Sequence, residues 1–151
     1  MKSLDIQIRS ETKRYHVSLS RLRNVAKEIL KSLGWKEAIL SVLLVDDKKI
    51  KALNHRYLDH DRPTDVIAFS QLAGPGPQMR RPFLGDIVIS LETAQQQAKL
   101  YDNSFFYELC FYLCHGILHL MGYRDKSADE AKGMEIKQRR ILNQIGLKKK
   151  N

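Results

Sequence analysis

The chain has 151 residues, of which 43% are hydrophobic and 28% are charged, and its formal net charge is +9. This length and apolar content predict one globular domain with one core. The most apolar stretch, residues 105–121, contains a glutamate and two histidines and is too short to span a bilayer comfortably. No signal peptide is expected at the N-terminus. The basic charge indicates a polyanionic partner or, alternatively, an ordinary solvated surface.

The first third of the chain predicts two strands and two helices in alternation. Apolar and polar residues alternate over Leu4–Arg9, which predicts a strand. Ser20 is expected to cap a helix that ends at Gly34. Residues 38–45 are almost continuously apolar, as is typical of a strand buried on both faces. Asp46 can cap the next helix.

The middle of the chain predicts two more strands with a loop between them. Pro63 marks a turn before a strand over Val66–Ser70, and a further strand is expected over Leu84–Ser90. Residues 71–82 are rich in glycine and proline and include two adjacent arginines, which is typical of a surface loop. This loop is either a basic flap that touches a nucleic-acid backbone or an ordinary exposed loop.

The last third of the chain predicts three helices. Ser90 can cap the first, Asn103 or Ser104 starts the second, and Ser127 caps the third, which ends at Gly146. The second helix is apolar nearly all round, as expected of an element that is enclosed on several sides. The order β-α-β-α-β-β-α-α-α predicts a single α+β domain, with a small mixed sheet and helices packed around this buried helix.

Two histidines stand four residues apart on the buried helix, within the segment Cys114-His115-Gly116-Ile117-Leu118-His119-Leu120-Met121-Gly122-Tyr123-Arg124-Asp125. On a helix this spacing puts both imidazoles on one face, with Cβ atoms about 5–6 Å apart. They can therefore bind one small ion, most commonly Zn²⁺. Gly122 lets the chain leave the helix, and Asp125 is far enough along to turn back and supply an oxygen ligand. Three protein ligands leave a fourth position for water, as in catalytic zinc sites.

Other polar or reactive residues of this helix are not expected to join the site. Cys110 and Cys114 are predicted to be buried free thiols, consistent with a reducing cytoplasm, and on a regular helix they point away from the histidines. Glu108 is about 10 Å along the axis from His115, too far to be a ligand, so a buried partner is expected for it. The alternative that both histidines are merely core residues is disfavoured by the accompanying Gly122 and Asp125.

The spacing His-x3-His-x2-Gly-x2-Asp is similar to the metzincin zinc motif, with Asp125 in place of the third histidine. Metalloproteases carry a glutamate as general base directly after the first histidine, whereas this chain has Gly116. Peptide hydrolysis is therefore disfavoured. The negative charge of Asp125 should make a bound ion a weaker Lewis acid and raise the pKa of its water.

The segment from His115 to Asp125 resembles the zinc motif of the YbeY family, bacterial endoribonucleases of ribosomal RNA maturation. That motif reads close to His-Gly-x-Leu-His-Leu-x-Gly-Tyr-Asp-His, and this chain departs from it only at the last two positions. Residues 64–69 and Gly85-Asp86 also resemble family elements. The resemblance implies a four-stranded sheet and a family-like domain over residues 1–147, followed by a basic tail over 148–151.

The resemblance further implies a metal-dependent endoribonuclease that cleaves single-stranded ribosomal RNA, with one Zn²⁺ per chain held by His115, His119 and Asp125. It implies the ribosome as a partner and a cytoplasmic location, and neither a membrane nor DNA is expected. The family has an arginine suited to gripping a phosphate where this chain has Leu58. Other possible RNA phosphate contacts are Arg56, Arg62, Arg80 and Arg81.

The sequence offers no clear general base, so metal hydroxide or the 2′-hydroxyl of the RNA itself would have to attack. The absent base and Leu58 both favour an alternative function. In that alternative, the protein is an RNA-binding ribosome-assembly factor in which zinc is mainly structural. The two hypotheses differ in whether metal removal unfolds the protein or leaves a folded chain that binds RNA.

Overall fold

Four strands and five helices follow one another, in the predicted order, within residues 3–58, 66–71 and 82–148, which the computed structural model describes; the side chains of Tyr57 and Leu58 are not included. The elements are β1 (Leu4–Ser10), α1 (Leu19–Ser32), β2 (Ala38–Val45), α2 (Asp47–Leu58), β3 (Val66–Ser70), β4 (Phe83–Ser90), α3 (Leu91–Leu100), α4 (Phe105–Leu120) and α5 (Ala128–Gln144). The predicted single α+β domain is confirmed.

The four strands form one mixed sheet in the order β1-β2-β4-β3. β1, β2 and β4 run parallel, whereas β3 is antiparallel to β4. The prediction that β2 is buried on both faces is wrong, because its residues alternate between buried and half-buried as far as Leu44. The helices α1 and α4 cover one face, while α2 covers only part of the other through Ile50 and Leu53.

Helix α4 occupies the centre of the domain and contacts α1, α3, α5, β3 and β4. It can lie close to the sheet because Gly116 has no side chain: an added Cβ would be 2.8 Å from Ile87 Cγ2 of β4. At its C-terminal end, Leu120 packs against Gly85 of β4, where a Cβ would overlap both Leu120 and the Phe69 carbonyl oxygen. Two glycines therefore fix how closely α4 approaches the sheet.

Side-chain caps define where all five helices begin. The predicted cap of α2 is confirmed, because Asp46 Oδ1 accepts a hydrogen bond from Lys49 N at 2.9 Å. α1 is capped by Ser18, whose Oγ accepts a hydrogen bond from Arg21 N at 3.2 Å, so the prediction of Ser20 is wrong. Starting at Leu19 brings this apolar residue into the first turn, where it packs against the core. The caps at Ser90 and Ser127 are confirmed, and Ser104 rather than Asn103 caps α4.

Several predicted features lie outside the described residues. These are the turn at Pro63, the family-like pair Thr64-Asp65, the arginines Arg62, Arg80 and Arg81, and most of the basic tail. Among the residues that are described, no helix combines the length and the apolar character needed to cross a membrane.

Candidate metal centre

Three side chains meet at the C-terminal end of α4. The Nε2 atoms of His115 and His119 are 3.0 Å apart, and Asp125 Oδ2 lies 3.3 Å from each of them. With ligand bonds of about 2.0–2.1 Å, a tetrahedral ion separates its ligand atoms by about 3.3–3.4 Å. The structure therefore brings together the three residues that the sequence singles out, at the spacing of three corners of a tetrahedron.

The helix itself aligns the two imidazoles. His115 and His119 lie one turn apart on α4, and their rings meet edge to face, with centroids 4.5 Å apart and an interplanar angle of 81°. This arrangement directs both Nε2 atoms toward Asp125. The side chain of Asp125 is 38% exposed and those of the histidines 23% and 28%, so solvent and a substrate can reach the centre.

A tight turn after α4 holds His119. Gly122 adopts a φ of +99°, as predicted for the residue that ends this helix, and Tyr123 N donates to Leu118 O at 3.0 Å. The turn brings Tyr123 O to 3.0 Å from His119 Nδ1. Because a carbonyl oxygen only accepts hydrogen bonds, Nδ1 carries the proton and Nε2 presents a lone pair.

The arrangement of these atoms fits a bound cation. Two imidazole nitrogens and a carboxylate oxygen are all acceptors when the rings are neutral, and they face one another at 3.0–3.3 Å. Such electron-rich atoms repel one another unless a proton or a metal ion lies between them. A set of two nitrogens and one oxygen is a common ligand set for Zn²⁺.

One residue near the centre was missed by the sequence analysis. Gln138 lies on α5, is 2% exposed, and places Oε1 at 3.2 Å from His115 Nδ1. It is 23 positions from His115 and belongs to no motif. What marks Gln138 in the sequence is that its polar amide lies among the apolar residues of the buried face of α5, which are Met134, Ile141 and Leu142.

The residues that the sequence analysis left out of the site do lie elsewhere. Cys110 and Cys114 are fully buried, and neither belongs to the group of candidate ligands found among the described residues. Burial raises the pKa of Cys110 and raises that of Cys114 to about 12. Glu108 is 6% exposed and accepts a hydrogen bond from Asn103 Nδ2 at 2.6 Å, so it has the partner that was expected, although Asn103 is half-buried rather than buried.

Of the four arginines considered as phosphate contacts, only Arg56 is within the described residues. It is exposed on α2, the helix that packs on the opposite face of the sheet from α4. A cation that the sequence analysis missed is Lys137, whose Nζ is 5.3 Å from the centre of the Tyr123 ring. Lys137 therefore adds positive charge beside the turn that holds His119.

Comparisons with known proteins agree with this arrangement. The family model described as endoribonuclease YbeY matches residues 7–146. An endoribonuclease YbeY from Geobacter metallireducens is 40% identical over 141 residues, which cover 92% of this chain and 94% of the relative. Another, from Halalkalibacterium halodurans, is 44% identical over 115 residues, which cover 72% of each chain. 

A solution structure of a Thermotoga maritima protein is also similar, with a TM-score of 0.60 and 30% sequence identity. The similarity covers 93% of this chain and 91% of that one. The fold, the motif at the end of α4 and these relatives lead to one conclusion: the chain belongs to the endoribonuclease YbeY family.

Proposed function

We propose that this protein is a metal-dependent, single-strand-specific endoribonuclease that acts in ribosomal RNA processing and ribosome maturation. The observation that carries the proposal is the convergence of three acceptor atoms, from His115, His119 and Asp125, at a solvent-accessible position. Because the chain belongs to an endoribonuclease family, we infer that the reaction at this position is cleavage of RNA. The proposal includes a cytoplasmic location and the ribosome as a partner, with no role for DNA.

His115, His119 and Asp125 would hold one Zn²⁺ per chain. When bound, such an ion polarises a phosphate oxygen and lowers the pKa of a water ligand. The carboxylate of Asp125 adds negative charge, which moderates both effects relative to a third imidazole. Gly116 has no side chain that could act as a general base, so the chain itself does not supply the base that metalloproteases use.

A polyanionic substrate suits the charge of the protein, whose formal net charge is +9. Arg56, Arg62, Arg80 and Arg81 remain the proposed contacts to RNA phosphates. We add Lys137 to them, because its ammonium group lies beside Tyr123 and the turn that ends at Asp125. Of these cations, Lys137 lies beside the proposed centre and would take over part of the role of the family arginine that is Leu58 here.

The proposal is tested by incubating purified wild-type protein and the His115→Ala variant with single-stranded ribosomal RNA and comparing the products on a gel. Cleavage by the wild type alone is expected. The variant, purified in the same way, controls for contaminating ribonuclease. Equal cleavage by both proteins, or none by either, would contradict the proposal.

The same two protein preparations distinguish the endoribonuclease from the alternative, which is an RNA-binding assembly factor with a mainly structural metal. The absence of a glutamate at position 116 favours that alternative. It predicts that both proteins bind RNA without cleaving it, and that the variant is much less stable to heat. The endoribonuclease predicts that His115→Ala loses cleavage while it keeps most of its stability and its RNA binding.

A further inference from the structure

We propose that Gln138 is a positioning residue that fixes the tautomer and the orientation of His115. The inference rests on the proposed metal centre, but its first test below needs neither metal nor RNA. Gln138 contacts His115 from α5, and none of the three proposed ligands lies on that helix. The packing of α5 against α4 would therefore set the orientation of His115, one of the proposed metal ligands.

The direction of the Gln138 amide follows from its partners. Nε2 of Gln138 lies 3.1 Å from the carbonyl oxygen of Phe111, which only accepts hydrogen bonds. The amide nitrogen must therefore face Phe111, because the reverse orientation would bring two oxygen atoms together. The amide oxygen is then the atom that lies 3.2 Å from His115 Nδ1.

The protonation of the His115 ring follows from that orientation. An amide oxygen only accepts, so Nδ1 must be the nitrogen that carries the hydrogen. A neutral imidazole has one such hydrogen, which leaves Nε2 with a lone pair directed at His119 Nε2 and Asp125 Oδ2. This is the tautomer in which His115 can bind a metal through Nε2.

Burial makes Gln138 hard to replace by water. Its side chain is 2% exposed, and the neighbouring face of α5 is closed by Met134, Ile141 and Leu142. An apolar side chain at this position would leave the His115 Nδ1–H without its acceptor. In free neutral histidine the hydrogen prefers Nε2, so without Gln138 the ring would gain a hydrogen at the atom that should bind metal.

The first test measures the tautomer directly, by long-range ¹H–¹⁵N NMR of the histidine rings in metal-free protein. We expect His115 to carry a hydrogen on Nδ1 in the wild type, whether or not Nε2 also holds a proton, and to lose the hydrogen from Nδ1 in Gln138→Leu, while His119 stays unchanged. A His115 ring with no hydrogen on Nδ1 in the wild type would overturn the proposal.

The second test measures the affinity for Zn²⁺ and for the spectroscopic probe Co²⁺. Gln138→Leu should bind both ions roughly 10- to 100-fold more weakly, as is typical when a hydrogen-bond partner of a metal-binding histidine is removed. Gln138→Glu keeps an acceptor for the Nδ1–H but loses the donor to Phe111 O, so its affinity should fall less than that of Gln138→Leu. Wild-type affinity in Gln138→Leu would contradict the proposal.

A matched control is available on the same helix. Gln144 is exposed near the end of α5, so Gln144→Leu makes the same chemical change away from the centre. It should change neither the His115 tautomer nor the metal affinity. If Gln138→Leu fails to fold, the wild-type measurement still decides the question, since absence of a hydrogen on His115 Nδ1 there would overturn the proposal.

These measurements separate this inference from the proposed function. If the protein does not cleave RNA but the tautomer changes as expected in Gln138→Leu, the endoribonuclease proposal fails and the role of Gln138 stands. If RNA is cleaved but Gln138→Leu leaves the tautomer and the affinity unchanged, only the role of Gln138 fails.

Discussion

The two ends of α4 both carry polar side chains in an apolar helix, but the polar atoms face different kinds of partner at the two ends. Near the N-terminal end, buried Glu108 accepts a hydrogen bond from Asn103, so a donor meets an acceptor. At the C-terminal end, His115, His119 and Asp125 direct acceptors at one another. The first arrangement pairs a donor with an acceptor and leaves Asn103 Oδ1 buried without a hydrogen-bond partner among the described residues, whereas the second brings three acceptors together and needs a cation. An excess of converging acceptors, rather than burial of polar groups, therefore marks the functional end.

The comparison is tested most strongly by removing a ligand from the C-terminal end. His119→Ala should abolish metal binding and lower RNA cleavage by more than the roughly 10- to 100-fold expected for a residue that only supports a ligand. Bound metal is measured by elemental analysis, and cleavage is measured on a gel. His55→Ala, at an exposed histidine of α2, is the control and should behave like the wild type. Full cleavage by His119→Ala would refute the metal centre.

Removing the metal from the intact protein should have a smaller effect on the fold than on activity. A ligand present at 1,000 times its dissociation constant stabilises a folded protein by about 4 kcal/mol, and the core around α4 is built largely of aliphatic and aromatic side chains. A chelator should therefore stop cleavage and lower the melting temperature, yet leave a folded protein whose activity returns with Zn²⁺. Circular dichroism and a cleavage assay measure both effects. Complete unfolding would instead favour a structural role for the metal.

The sequence predicts the arrangement at the C-terminal end of α4 well, because the residues that determine it are close together along the chain. His115 and His119 face the same way because they are one turn apart, and Gly122 ends the helix where the chain must turn toward Asp125. The carbonyl oxygen of Tyr123, which holds His119, comes from the same turn.

The contacts that the sequence did not reveal depend on tertiary packing. Gln138 reaches His115 because α5 packs on α4, and no periodicity sets the angle between two helices. The half-buried face of β2 likewise depends on how little of the sheet α2 covers. Ser18 and Ser20 are equally good caps by residue type, and the packing of Leu19 distinguishes them.

The face of α4 that packs on the sheet at Gly116, between the two histidines, should be sensitive to volume rather than to charge. Gly116→Ala would put a Cβ 2.8 Å from Ile87 Cγ2, and overpacking of this kind costs about 1–3 kcal/mol. The gain in helix propensity offsets at most about 1 kcal/mol of this cost. We therefore expect a net loss of about 1 kcal/mol in the free energy of unfolding, measured by urea denaturation.

Gly133 on α5 provides the matched control, because an added Cβ there would have no neighbour within 4 Å. Gly133→Ala should stabilise the protein by up to about 1 kcal/mol through helix propensity alone. Equal effects of the two substitutions would show that the contact between α4 and β4 is looser than the structure indicates.

The smallest effect is expected at the N-terminal end of α4. Glu108→Gln keeps an oxygen that accepts the hydrogen bond from Asn103 Nδ2, so the free energy of unfolding should change by less than about 1 kcal/mol. Metal affinity and RNA cleavage should not change, because Glu108 is about 10 Å along the helix from His115. Urea denaturation and metal titration of the same preparation provide both measurements. A loss of metal binding in Glu108→Gln would mean that the two ends of α4 are coupled, and that this polar pair belongs to the functional centre after all.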